Sequence, residues 1–274
     1  MAAEVQRSWG LLADLLQSGP EARRQDLMRV EALARHLPEA GDEAEAAFHH
    51  LFSVEVQPFA SAVLEPSRCL GGELTQGLWD TMDEAGFHPD LEADHLATQL
   101  HFLAAAPHEV ARSFLAEWLL PWLPPVVVAV NEVDPGLYGQ ALTLVHDLGA
   151  HQAAGLPVRE RLAPAPTLED PGLRDLAELL VTPTHAGFWL THSSLGRLSQ
   201  DLALPRGFGS RARVVETLLR SAVHRERLPE LLARLQEHIL ATGTHLAALE
   251  GGSCWAARCE HTAGLLASLP TPSE

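Results

Sequence analysis

Apolar residues recur at helical spacing along almost the whole chain, and this period more than any other feature limits what it can fold into. Leu11, Leu12 and Leu15 share one face of a first helix, and Leu27, Val30, Leu33 and Ala34 mark a second that stops near Pro38. Ala44, Ala47, Phe48, Leu51 and Phe52 mark a third, and Leu70, Leu74, Leu78 and Trp79 a fourth that ends at Gly86. Between them residues 53–68, with Pro58 and Pro66, read as a long loop. Asp90 reads as the N-cap of a helix whose buried stripe is Leu96, Leu100 and Leu103. A helix from His108 to about Leu119 follows, then an apolar stretch broken by Pro121, Pro124 and Pro125, then a helix from about Pro135 to Ala154. Strand formers are thin, with one Ile, one Tyr and eight Phe against abundant Leu and Ala, so the class expected is all-α.

Residues 155–167 are Pro-rich and carry no apolar period, which makes them the boundary. The expected organisation is a helical core over 1–157, a Pro/Ala-rich linker over 158–167 and a helical C-terminal extension over 168–274. In the extension, helices are expected over Leu173–Leu180, Ser194–Leu202, Ser210–Val223, Leu228–Leu249 and Trp255–Leu269, with a frayed tail at Pro270–Glu274. The linker can serve as a hinge, or permit a domain-swapped homodimer.

Every basic residue is Arg, so a P-loop, which needs Lys, and a Schiff-base enzyme, which needs an amine, are both excluded. Cys69, Cys254 and Cys259 are too few for a disulfide framework. The N-terminus carries Glu4 and Asp14 and lacks the apolar core of a signal peptide. The most apolar run, Trp118 to Val130, is shorter than the roughly 20 residues a membrane span needs. A cytoplasmic protein with no stable membrane association is expected.

The net charge of −17 is unevenly spread. Residues 36–111 hold fourteen acids and one base, Arg68, whereas residues 168–274 hold twelve acids and ten Arg. Such a field repels nucleic acid and attracts basic partners, although a solvated acidic face kept for solubility gives the same count.

Within this acidic quarter the motifs become specific. Phe48, Leu51 and Phe52 close a helix; Pro58, Phe59 and Ser61 follow in a loop. Glu92, Asp94, His95 and Leu96 then open a helix that continues to Leu100, Phe102 and Leu103. In order and spacing this resembles the TorD/DmsD/NarJ family of redox-enzyme maturation chaperones, over roughly residues 5–155. Phe114-Leu115, Trp118-Leu119 and Pro121-Trp122 resemble its next helix. The chain departs from the family pattern at Ala93, where Pro is usual, and at Phe59, where Tyr is frequent. The resemblance implies a TorD-like helical bundle core. It also implies a cytoplasmic chaperone, not an enzyme and without a cofactor of its own. Its partners would be the twin-arginine signal peptide and the catalytic subunit of a molybdopterin oxidoreductase, held until cofactor is inserted.

A twin-arginine peptide offers two guanidinium groups and then an apolar stretch, so its receptor needs carboxylates beside an apolar groove. The residues expected to bind it are Phe52, Glu55, Phe59, Ser61, Asp80, Glu84, Glu92, Asp94, His95 and Phe102. For Asp94 and His95 a second reading stands beside this one: Asp94 supports the helix N-terminus and His95 bonds the loop.

Three other readings compete. His146-Asp147 matches the HD dipeptide of metal-dependent phosphohydrolases, with spacing to further ligands left unconstrained. Cys254, Cys259 and His261 offer soft ligands but no second Cys pair for zinc. The Gly207-Phe208-Gly209 turn lacks the strand that precedes a phosphate-binding loop. A helical adaptor for another protein, without a molybdenum enzyme as client, is the remaining alternative.

Overall fold

A computed structural model describes residues 2–39, 41–65, 72–167 and 171–269. Cys69, Leu70 and the Pro270–Glu274 tail lie outside the described residues. Among the described residues the protein is all-α, as the apolar period requires, and has no strand. Contacts divide it into two compact units, Met1–Arg161 and Leu162–Glu274.

The first unit runs α1 (Ala2–Ser18), α2 (Arg24–Leu27), α3 (Glu31–Ala34), α4 (Asp42–His49), α5 (Ala60–Leu64), α6 (Glu73–Glu84), α7 (Leu96–Ala105), α8 (His108–Phe114), α9 (Leu123–Val133) and α10 (Leu137–Gln152). Helix α1 packs along α7 and touches α10, while α9 and α10 pack as a pair. Trp9, Leu12, Leu15 and Leu16 of α1 are buried with Leu96, Leu100 and Leu103 of α7, the two stripes that the sequence presents. A chain of rings, Phe87–Phe102–Phe114, continues this core with centroids 5.5 and 4.6 Å apart.

Local structure departs from the sequence reading at four places. The second helix is two short ones, because Met28 and Arg29 turn the chain between α2 and α3. The 53–68 loop is not continuous: a π-helical turn at His50–Glu55 reaches into it, and α5 occupies Ala60–Leu64. That π turn closes with Val56 N–H donating to the Leu51 carbonyl, a five-residue step. Asp90 caps nothing; α7 begins only at Leu96 and its N-cap is His95. The Pro-broken stretch is also partly helix, since Pro124 and Pro125 sit in the first turn of α9, where no backbone N–H is needed.

The second unit runs α11 (Leu173–Val181), α12 (Pro183–Ala186), α13 (His192–Asp201), α14 (Arg211–His224), α15 (Leu228–Ala247) and α16 (Ser253–Ser268). Helices α15 and α16 pair closely, α11 packs on α14, and α12 sits against α16. The buried Arg258 guanidinium of α16 donates to the Thr184 and Ala163 carbonyls. Gly187, at φ +88°, ends α12 directly on the α16 backbone: a Cβ there would lie 2.6 Å from Cys259 N and 2.8 Å from the Trp255 carbonyl oxygen. No single helix among the described residues is long and apolar enough to cross a membrane.

Gly187→Ala combines a left-handed backbone with a clash against backbone atoms that cannot rotate away. It should lower unfolding stability by more than about 1 kcal/mol in urea titration. An unchanged midpoint would mean that α12 does not pack on α16 this closely.

Candidate peptide-binding site

Four of the ten residues singled out from the sequence meet at one junction. Pro58–Ser61 runs against Asp94–Leu96: Ala60 N–H donates to the Asp94 carbonyl at 2.9 Å, and Leu96 N–H to the Pro58 carbonyl at 2.8 Å. The Ser61 hydroxyl donates to Asp94 Oδ2, and both residues are fully buried. Gln99 Nε2 donates to the Asp94 carbonyl at 3.3 Å. The Phe59 ring meets the His95 ring edge-on, with centroids 4.8 Å apart. His95 Nδ1 accepts the Ala97 N–H at 3.1 Å, so the proton of the neutral ring lies on Nε2.

The ten residues differ in exposure. Ser61, Asp94 and Phe102 are wholly buried, and Phe52 and Glu55 are nearly so. Asp94 and Ser61 fix the loop to the start of α7. Phe52 meets Phe48 and Tyr138 at 5.3 Å each, and burial against these rings pushes the Tyr138 hydroxyl pKa up. Glu55 faces His50 Nε2 at 3.3 Å. Phe59 and His95 are half-buried, and only Asp80, Glu84 and Glu92 are exposed. Asp80 accepts from Gln76 Nε2 at 2.8 Å, a pair along the surface of α6. Glu65 also stays local: its Oε1 accepts from Leu74 N at 3.4 Å, at the start of α6.

Two apolar clefts of this unit are lined by other residues. A cleft of about 450 Å³ is lined by Val5, Gln6, Leu103, Arg112 and their neighbours. A second, of about 360 Å³, is lined by Leu11, Leu12, Val30, Leu33 and Leu144. Both share Leu148 and His151 of α10, so the two clefts adjoin in a groove along α1 and α10. Its far end is held by hydrogen bonds: Trp9 Nε1 donates to Gln152 Oε1 at 3.0 Å, and Arg112 donates to the Gln152 and Ala154 carbonyls at 3.1 Å each. From Leu144 to Gln152 α10 spans about 12 Å, a little over two helical turns. The groove can bury the apolar side chains of a short segment. Leu11, Leu12, Leu33 and Leu103 stand in the helical stripes of the sequence, whereas Leu144 and Leu148 were not singled out, and a stripe alone does not say which face stays open.

The metal readings find little geometry. His146 Nδ1 lies 3.2 Å from Asp147 Oδ1, its own neighbour, and His146 is buried. Among the described residues no group of three or more His, Cys, Asp or Glu could hold a metal ion. Cys259 is buried in α16, and that burial pushes its thiol pKa up to about 12.

Residues 1–128 match the family model described as the nitrate reductase delta subunit. Comparison with curated proteins and with solved structures finds no match.

Two outcomes test the junction. Ser61→Ala leaves a buried carboxyl oxygen without its donor and should cost about 1–3 kcal/mol of stability. Burial pulls the His95 pKa below its ordinary value, against the pull of Asp94. The unfolded chain therefore binds more protons at this ring between the lowered pKa and about 6.5, so this contribution is complete above that window and is lost as pH falls through it. The urea midpoint should drop on acidification below about pH 6.5, and His95→Asn, which keeps a cap acceptor without titrating, should flatten that drop.

Proposed function

Because residues 1–128 match the nitrate reductase delta subunit family model, we propose that the chain is a chaperone for the maturation of a molybdenum-containing oxidoreductase. The family is one of maturation chaperones, and its partner is the catalytic subunit of a nitrate reductase. The finer reading is that this chain holds an N-terminal peptide of such a subunit, of twin-arginine type, while cofactor is inserted. The groove along α1 and α10 supports it, because an apolar peptide segment needs a concave apolar surface.

The energetics divide the labour. Apolar burial contributes about 25 cal/mol per Å², whereas an exposed ion pair contributes about 0–1 kcal/mol. Affinity therefore comes from side chains entering the groove around Leu148. The exposed Asp80, Glu84 and Glu92, in the segment that carries most of the excess negative charge, steer the guanidinium groups of the peptide. The Phe59–His95 junction, pinned from beneath by Asp94 and Ser61, keeps the loop beside α7 in one shape. No residue is assigned a catalytic role. The adaptor reading differs in its client, so co-purification with a molybdopterin catalytic subunit separates the two.

Titration with the twin-arginine N-terminal peptide of a molybdopterin oxidoreductase catalytic subunit provides the test. Leu148→Glu should weaken binding by about tenfold or more, the loss of one well-buried anchor. Added salt should slow association far more than it speeds dissociation. Binding that is indifferent to Leu148→Glu would remove the groove from the account, and association indifferent to salt would remove the steering acids.

A further inference from the structure

The second unit carries the most exposed large apolar side chain among the described residues. Phe208 is 95% exposed, at the tip of a Gly-Phe-Gly turn. Gly207 at φ +74° and Gly209 at φ +114° give that turn its shape, and a Cβ on Gly207 would lie 3.1 Å from the Thr217 side chain. The loop is held at both ends. Arg225 Nη1 donates to the Ala203 carbonyl at 2.6 Å, and Arg227 donates to the Leu202 carbonyl. Ser199 Oγ donates to the Leu204 carbonyl at 2.6 Å, and Ser210 caps α14 by accepting the Arg213 N–H at 3.4 Å. Phe208 is thus presented by a fixed frame, which lowers the ordering cost of any contact it makes.

The charge around it has the opposite sign to the chain as a whole. Residues 192–225 hold six Arg and two acids in a protein of net charge −17. Arg206 and Arg213 are exposed and make no ion pair among the described residues. Arg206 Nη2 lies 3.4 Å from His192 Nδ1, and these two residues with Pro205, Phe208 and Val214 line a cleft of about 540 Å³. The Arg211 guanidinium stacks over the Trp189 ring, 4.2 Å from its centroid, at the start of α14. An aromatic tip and an apolar-floored cleft beside the exposed Arg206 and Arg213 complement a surface that mixes apolar and acidic side chains.

We propose that the Phe208 loop and its cleft dock a short acidic segment of a partner protein, one with apolar residues set among its carboxylates. Extended polyanions fit less well. Nucleic acid and anionic lipid surfaces bring dense negative charge against the rest of a −17 molecule. A short segment meets only the local field, because screening confines that field to about 8 Å at physiological salt. This surface belongs to the second unit, and its occupant is acidic where the peptide proposed for the groove of the first unit is basic.

The test uses the full chain and a blocked synthetic peptide in which Glu alternates with Leu and Phe, with the Lys-for-Glu peptide as counterpart. NMR titration or anisotropy should show the acidic peptide binding and the Lys peptide not. Phe208→Ala and Arg206→Glu should each weaken that binding by about tenfold, and Phe208→Trp should retain it. Because both side chains are exposed, the melting temperature of each variant should stay at the wild-type value. Equal binding of the two peptides, binding unaffected by Phe208→Ala and Arg206→Glu, or no binding at all would overturn the proposal. Preferential binding of a DNA duplex or of phosphatidylserine vesicles would overturn it as well.

Discussion

Removing a carboxyl group from water is costly unless hydrogen bonds replace what water supplied. At Asp94 one carboxyl oxygen, Oδ2, accepts from Ser61, more than thirty residues earlier in the chain, while Oδ1 has no partner among the described residues. The Ser61 hydroxyl bonds the side chain, while Ala60 N–H and Gln99 bond the Asp94 carbonyl. One residue therefore ties the Pro58–Ser61 segment to the first turn of α7. Helix α7 in turn packs along α1, whose Leu11 and Leu12 face the groove. The position of the loop, the start of α7 and one wall of the groove thus follow from a single buried polar contact and the apolar stripes on either side of it.

That arrangement explains why motif residues and accessible residues differ. Asp94, Ser61 and Phe102 occupy the positions that carry the resemblance to maturation chaperones, and all three are buried. Their spacing reports how the fold is held, and a contact surface has to be sought among residues that the same frame leaves open. Leu148 and His151, shared by both clefts, are such residues, and they lie beyond the stretch that matches the family.

The helices were legible because Leu and Ala recur with the helical period and little else competes with it. Gly86, expected to end a helix, lies at φ +76° just past α6, where a residue without Cβ is favoured. Boundaries set by side-chain chemistry were harder. Asp90 has the composition of an N-cap, yet His95 holds that role, because the bonds to Pro58 and Ala60 decide where α7 can begin. Pro124 and Pro125 resembled a break, yet the first turn of a helix accepts both. The acidic and aromatic composition of residues 48–103 was legible, but whether a carboxylate turns inward, as at Glu55, or outward, as at Glu92, depends on tertiary packing that the period does not carry.

The central claim is that the first unit holds a client peptide through the groove between α1 and α10. Hydrogen–deuterium exchange on the full chain, with and without the twin-arginine N-terminal peptide of a molybdopterin catalytic subunit, the proposed client, reads this directly. The account predicts slowed exchange in α1 and α10, with smaller protection at the Pro58–Ser61 loop. Protection confined to residues 171–269, or none in α1 and α10 at saturating peptide, would contradict it.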